Sequence, residues 1–338
     1  MEKKNKILVT GGAGFIGSHV VDALINEGHS VTVIDNLFTG KRSQVNKKAK
    51  FIKADICDAK KIRPYFKGVD YVFHLAASLR IQPSIKNPVT TMNDNVMGTL
   101  NVLLAARDAK VKRVIYSASS SSYGDQDTLP LYEEMTPHFK SPYALSKYVG
   151  EELCRLFSNL YNLETVSLRY FNVYGPRQLS TGAYTAVIGT FVNQLKNGKP
   201  MTVVGDGKIE RDFTNVFDVV KANLLAAVSN KVSKGEVVNI GTGKNYSINQ
   251  IAALVFNQHR GNTNGSNSNY EIKLTKAGNE SLNSHESILA VAIKGGKVTH
   301  IPARPGEVRK TLANNTKARQ LLGWKPTITL EEGLSMIS

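Results

Sequence analysis

Thr10-Gly11-Gly12-Ala13-Gly14-Phe15-Ile16-Gly17 closes an apolar run that starts at Ile7 and opens a helical pattern. Glycines in such a loop serve a tight turn, close approach of the backbone to a pyrophosphate, and helix–strand packing. The candidates are Gly11, Gly14 and Gly17, with Phe15 and Ile16 in the first helical turn. Free N–H groups at the helix start then face an anion. Working outward, the next apolar run, 31–34, ends in Asp35, about twenty residues past the glycines. A carboxylate there accepts hydrogen bonds from a ribose diol and repels a 2′-phosphate, so NAD is expected over NADP.

The pattern around this loop predicts an α/β fold with a doubly wound parallel sheet. Segments 7–10, 31–34, 51–53, 71–75, 114–117 and 165–168 read as strands, several apolar on consecutive positions as buried parallel strands are. Helical stretches lie between them at 18–27, closed by Gly28, and at 93–109 and 143–161. After Arg169 the loops grow denser and the strands shorter, which predicts a smaller mixed lobe. The expected division is a dinucleotide-binding domain over 1–172 and a mainly substrate-binding lobe over 173–338. Segment 236–240 is expected to return to the first sheet. An Asn-rich loop or insertion is expected around 259–300, with 262–269 exposed.

Composition narrows the class. No apolar run reaches the roughly eighteen residues of a membrane span, and the chain enters its first strand without a signal-peptide core, so a cytoplasmic protein with no membrane insertion is expected. Cys57 and Cys154 are the only cysteines, too few and too far apart for a disulfide framework or a zinc cluster, and no metal is expected. The net charge of +16 is spread along the chain without a nucleic-acid-binding motif. A lysine-rich surface on an enzyme with anionic ligands explains it, and no nucleic-acid partner is expected.

Tyr143-Ala144-Leu145-Ser146-Lys147 places Tyr143 and Lys147 four apart, on one helix face. A neighbouring ammonium stabilises a phenolate and lowers a tyrosine pKa that is normally about 10, which suits a general base. The run Ser117-Ala118-Ser119-Ser120-Ser121-Ser122 follows the strand at 114–116, where hydroxyls at a strand's carboxyl end point into a cleft. One of them is placed to hydrogen-bond a reacting alcohol.

With these residues in view, the chain resembles the extended short-chain dehydrogenase/reductase superfamily, and within it the UDP-glucose 4-epimerases and their relatives. The resemblance runs through the glycine loop, Asp35, Asp55, His74-Leu75-Ala76-Ala77, Asn95-Val96-Met97-Gly98-Thr99, the serine run and the Tyr143/Lys147 pair. It continues through Arg169-Tyr170-Phe171-Asn172-Val173-Tyr174-Gly175-Pro176-Arg177, Gly205-Asp206-Gly207, Arg211-Asp212-Phe213 and Arg304-Pro305-Gly306-Glu307. It implies Ser119, Tyr143 and Lys147 as catalytic residues. It implies an NAD site that also draws on Asn36, Asp55, Ile56, Leu75, Ala76, Ala77, Asn95, Ser117 and Tyr170. For a UDP-sugar it implies Arg80, Ser120, Ser121, Asn172, Ala186, Val187, Arg211, Arg304, Glu307 and Thr311, with guanidinium groups gripping the diphosphate. The implied chemistry oxidises the sugar at C4, lets the 4-keto sugar turn, and returns hydride to its opposite face. A homodimer through the helices at 93–109 and 143–161 is implied as well.

The dehydratases of the same superfamily carry an Asp-Glu pair where this chain has Ser119-Ser120, which favours epimerisation over elimination. Thr311, smaller than a tyrosine, together with Ser120, Ser121 and Gly182-Ala183-Tyr184, resembles the UDP-N-acetylglucosamine 4-epimerases. The expected substrates are UDP-GlcNAc/UDP-GalNAc and UDP-glucose/UDP-galactose. Arg80 is a cation suited to a uronic acid, so a UDP-glucuronate 4-epimerase or decarboxylase stays open, as does a non-catalytic NAD-binding regulator.

Overall fold

The computed structural model describes residues 4–79, 81–180, 185–263, 284–304 and 306–337. Its strands are β1 Lys6–Thr10, β2 Ser30–Asp35, β3 Lys50–Lys53, β4 Tyr71–His74, β5 Arg113–Ser119, β6 Glu164–Tyr170 and β7 Val173–Tyr174. They continue as β8 Met201–Val204, β9 Glu210–Asp212, β10 Thr214–Asn215, β11 Lys234–Ile240, β12 Asn245–Ser247 and β13 Val298–Ile301. The helices are α1 Phe15–Asn26, α2 Ala59–Ile62, α3 Ile81–Lys86, α4 Pro88–Met92, α5 Gly98–Asp108 and α6 Pro142–Tyr161. After them come α7 Val187–Lys196, α8 Val216–Val228, α9 Ile248–Thr263, α10 His285–Lys294, α11 Thr316–Leu322 and α12 Leu330–Ser335.

Seven strands form one sheet in the order β11-β6-β5-β4-β1-β2-β3, and every pairing in it is parallel. Consecutive apolar residues in these strands follow from burial on both faces. Val20, Val21 and Leu24 of α1 join Val219, Ala222 and Ala226 of α8, with Trp324, in one cluster. Ile62, Phe66, Val102, Leu103, Cys154 and Phe157 belong to a second. Each fully buried Val, Leu, Ile or Phe among them contributes roughly 1.5–3 kcal/mol. A third cluster joins α7, β8, α9 and α10 through Ile188, Phe191, Met201, Val203, Ile251, Val255 and Ala292. The order of strands reverses between β1 and β4, and the crevice outside their carboxyl ends is where such sheets bind ligands.

All the expected strands are present, and the segment around 236–240 joins the sheet beside β6. Three expectations are corrected. The first helix starts at Phe15, not 18, because Gly14 in extended conformation is its N-cap. The helix expected over 93–109 is interrupted: Asn93–Met97 forms a π turn between α4 and α5, a wider winding often found at functional sites. Residues 262 and 263 are the end of α9, which its apolar stripe Ile251, Ala252, Val255 and Phe256 carries past Gln258. Residues 264–269 lie outside the described residues. Within 259–300, α10 starts on a Ser284 cap and packs Ile288, Leu289 and Val291 on the third cluster, and β13 pairs with β8, so much of that stretch is ordered structure rather than loop.

Candidate active site

A cleft of about 920 Å³ opens at the carboxyl ends of the sheet strands. That is near the top of the ~300–1,000 Å³ range of ligand pockets. Gly11, Gly14, Phe15, Ile16 and Gly17 line one end. Gly11 has φ +73° and lies so close to β4's end that a Cβ would sit 2.6 Å from the Ala76 nitrogen. A Cβ on Gly17 would sit 2.1 Å from the Gly11 carbonyl oxygen. Only glycine closes this loop, and it leaves backbone rather than side chains facing the cleft. Asp35 ends β2 with its carboxylate accepting from Ala13 N at 2.9 Å and Leu37 N at 2.8 Å. Burial raises its pKa despite those bonds. Asp55 accepts from Asn36 Nδ2 at 2.9 Å and Cys57 N at 2.8 Å. Asn36, Ile56, Leu75, Ala76 and Ala77 complete this end. A backbone cradle with carboxylates at two neighbouring strand ends fits a dinucleotide with free ribose hydroxyls.

The middle of the cleft carries the candidate reactive groups. Ser141 caps α6 through Ala144 N, and Pro142 occupies the first turn, so Tyr143 and Lys147 rise one turn apart into the cleft wall. Lys147 is buried, with its Nζ over the Tyr116 ring at 4.8 Å. Burial lowers its pKa to about 8, with the charge of Glu151 acting upward. Opposite, β5 runs out into a 3-10 turn at Ser120–Tyr123 that Ser119 caps. Ser119 Oγ accepts from Ser121 N at 3.2 Å and lies 2.9 Å from Ser121 Oγ. Ser117, Ser119, Ser120, Ser121 and Tyr170 all line the cleft, Tyr170 donating to Asn223 Oδ1 at 3.0 Å behind it.

Asn172, Ala186, Val187, Arg211, Arg304, Glu307 and Thr311 line the far end. Burial lowers the Arg211 pKa while Glu307 and Asp125 pull it back up, and its Nη1 donates to the Glu210 carbonyl at 2.9 Å. Asn172 Nδ2 donates to the Asp212 carbonyl at 3.0 Å and to Thr311 Oγ1 at 3.3 Å. Thr311 Oγ1 also accepts from Asp212 N at 3.2 Å, so this threonine is a structural contact as well as a wall.

Asn95 stands apart from these lining residues. It does not line the cleft but is buried beneath it, holding Ser78 by both backbone groups and Ser146 by its hydroxyl. Its direction depends on the π turn, which the sequence pattern did not reveal. Arg80 and the 182–184 segment lie outside the described residues. The sequence reading missed Ser78, Gln82, Lys86 and Asp94 on one wall, and Thr202, Val204 and Phe213 on the other. The Gly205-Asp206-Gly207 and Arg211-Asp212-Phe213 motifs flank the latter group and were its available signal.

Comparison with known proteins agrees with this geometry. Residues 7–241 match the NAD dependent epimerase/dehydratase family, and the chain belongs to it. NAD is its cofactor class. The crystal structure of a Thermotoga maritima UDP-glucose 4-epimerase with UDP-glucose is 36% identical, with a TM-score of 0.83 over 98% of this chain and 96% of that one. A Methanobrevibacter ruminantium UDP-N-acetylglucosamine 4-epimerase in complex with UDP-N-acetylmuramic acid is 33% identical, with a TM-score of 0.83 over 99% and 97%. A Bacillus cytotoxicus UDP-N-acetyl-alpha-D-glucosaminuronate decarboxylase is 37% identical over 74% of this chain and 78% of its own. Among the described residues, no helix is long and apolar enough to cross a membrane, and no His/Cys/Asp/Glu group could hold a metal ion.

Proposed function

We propose that this protein is a UDP-hexose 4-epimerase. The observation that carries the reading is Tyr143 and Lys147 one turn apart in the cleft that Ser119 also lines, beside a glycine cradle and without an acid pair at Ser119-Ser120. Tyr143, as phenolate, takes the proton of the sugar 4-hydroxyl, and Lys147 favours that phenolate by its charge. Ser119 hydrogen-bonds the same oxygen. NAD, when bound against the glycine loop and Asp35, supplies hydride acceptance and return. Arg211 and Arg304 hold the diphosphate, so the hexose is anchored at one end and free to present either face. The absence of a bulky side chain at Thr311 suits an N-acetylated sugar.

A UDP-uronic acid epimerase or decarboxylase is the second reading, favoured by Lys86 in the lining and by the decarboxylase relative. We also propose a homodimer built on the helices around Met97 and Leu160.

The test is a panel of UDP-glucose, UDP-N-acetylglucosamine and UDP-glucuronate followed by NMR. C4 inversion of a hexose is expected, and Tyr143→Phe is expected to lower turnover by about 10²–10⁴-fold while UDP-sugar binding persists. Near-normal turnover by Tyr143→Phe sinks the mechanism, and release of carbon dioxide from UDP-glucuronate without hexose inversion selects the second reading.

A further inference from the structure

Beneath the cleft runs a chain of buried polar groups whose hydrogen-bond directions are all fixed. Thr99 Oγ1 lies 2.5 Å from the Asn95 carbonyl, which can only accept, so the Thr99 hydroxyl hydrogen points there. His74 Nε2 lies 3.0 Å from the same Thr99 oxygen and must therefore be the donor. His74 is buried, and that burial together with the charge of Lys147 lowers its pKa to about 3, so the ring is neutral and Nδ1 carries no hydrogen. Thr10 Oγ1, 2.7 Å from Nδ1, then donates to it and accepts from Ala76 N at 3.3 Å. Beyond Asn95 its Nδ2 donates to Ser146 Oγ at 2.9 Å, and Ser146 donates to the Tyr143 carbonyl at 2.9 Å. The groups facing His74 are Thr10 from β1, Thr99 from α5, Lys147 from α6 and the Tyr116 ring from β5, its centroid 5.6 Å away.

We infer that His74 is a positioning residue, held as the neutral Nε2–H tautomer, that ties the cofactor floor at Gly11 and Ala76 to the helix bearing Tyr143. Ala76 is the backbone on which Gly11 closes. Its height is set by Thr10, whose orientation His74 dictates, and the same ring passes the constraint through Thr99 and Asn95 to the first turn of α6. A second proton on His74 turns Thr10 around.

The inference rests on the proposed function only for its kinetic arm. The first test is ¹⁵N–¹H correlation of ¹⁵N-histidine-labelled full-length protein. A protonated Nε2 and bare Nδ1 are expected for His74, unchanged between about pH 5 and 8. An Nδ1–H tautomer, or titration within that window, overturns the inference. The second test compares Thr99→Val with Thr99→Ser. Loss of one link is expected to weaken NAD binding about fivefold to tenfold, the scale of one hydrogen bond. On the epimerase reading, Thr99→Val also lowers kcat with little change in UDP-sugar KM, and Thr99→Ser restores both. A Thr99→Val protein that melts earlier yet keeps its NAD affinity overturns the inference and leaves the chain as scaffold alone. If no UDP-sugar is turned over, the tautomer and NAD arms still decide.

Discussion

Lys147 keeps its charge against the cost of burial, and the sign of that cost is testable. Its pKa falls from 10.5 to about 8 on folding. Between those values the unfolded chain binds the proton and the folded one does not, so this residue's contribution to stability rises with pH across the window. Activity moves the other way, because the ammonium beside Tyr143 is lost above about 8. A kcat profile is expected to fall on its alkaline limb with an apparent pKa near 8. A profile flat to pH 10 excludes Lys147 as the charge that tunes the base. On the proposed function, Thr311 acts on selection. Thr311→Tyr is expected to lower kcat/KM for UDP-N-acetylglucosamine more than for UDP-glucose. Because the hydroxyl also accepts from Asp212 N and Asn172, Thr311→Val serves as the control that removes those bonds without adding a ring. An unchanged ratio in Thr311→Tyr rejects the pocket assignment. At this scale the glycine loop and the Tyr143/Lys147 pair were legible because their chemistry fixes spacing within one turn or loop. Asn95 was not, since its partners Ser78 and Ser146 come from elsewhere in the chain.

At the scale of elements, α6 does more than present two residues. One turn beyond Lys147, Glu151 is fully buried in a bidentate pair with Arg169 of β6, at 2.9 Å to Nε and 2.7 Å to Nη2. Arg169 also stacks on Tyr123 and donates to the Glu133 carbonyl. The pair fastens α6 to the sheet. Removing one partner strands the other charge, so Glu151→Gln is expected to cost about 3–5 kcal/mol in urea unfolding. The double change Glu151→Gln, Arg169→Met is expected to cost less than its two single changes summed. Additive costs refute a coupled pair. Long elements such as α6 were readable from their apolar period. α10 was not, although Ser284 and its apolar residues carry the signal, because the Asn/Ser/Gly-rich stretch at 262–269 led the whole of 259–300 to read as one loop or insertion.

For the whole molecule, the parallel sheet was legible because burial on both faces writes consecutive apolar residues into each strand. Of the second lobe only its presence and mixed character were legible, not its individual strands, because these are two to four residues long and carry too little period. Val89, Met97, Leu156 and Leu160 leave apolar surface exposed on α4, the π turn and α6, Leu160 at 63%. That surface is the basis for the proposed dimer. Leu156→Glu with Leu160→Glu changes only exposed positions and is expected to give a folded monomer by light scattering. A wild-type monomer at micromolar concentration rejects the dimer. The two rims of the sheet are treated differently. Along β11, Asn239 is bonded to Leu131 and Glu133, so that rim is occupied. Along β3, the last strand, Lys50 and Lys53 stand exposed. An outer strand is a place where another copy's strand can add, and lysines there oppose it. Part of the chain's basicity is thus placed on the outer strand, and acetylating these two side chains is expected to raise concentration-dependent association by light scattering.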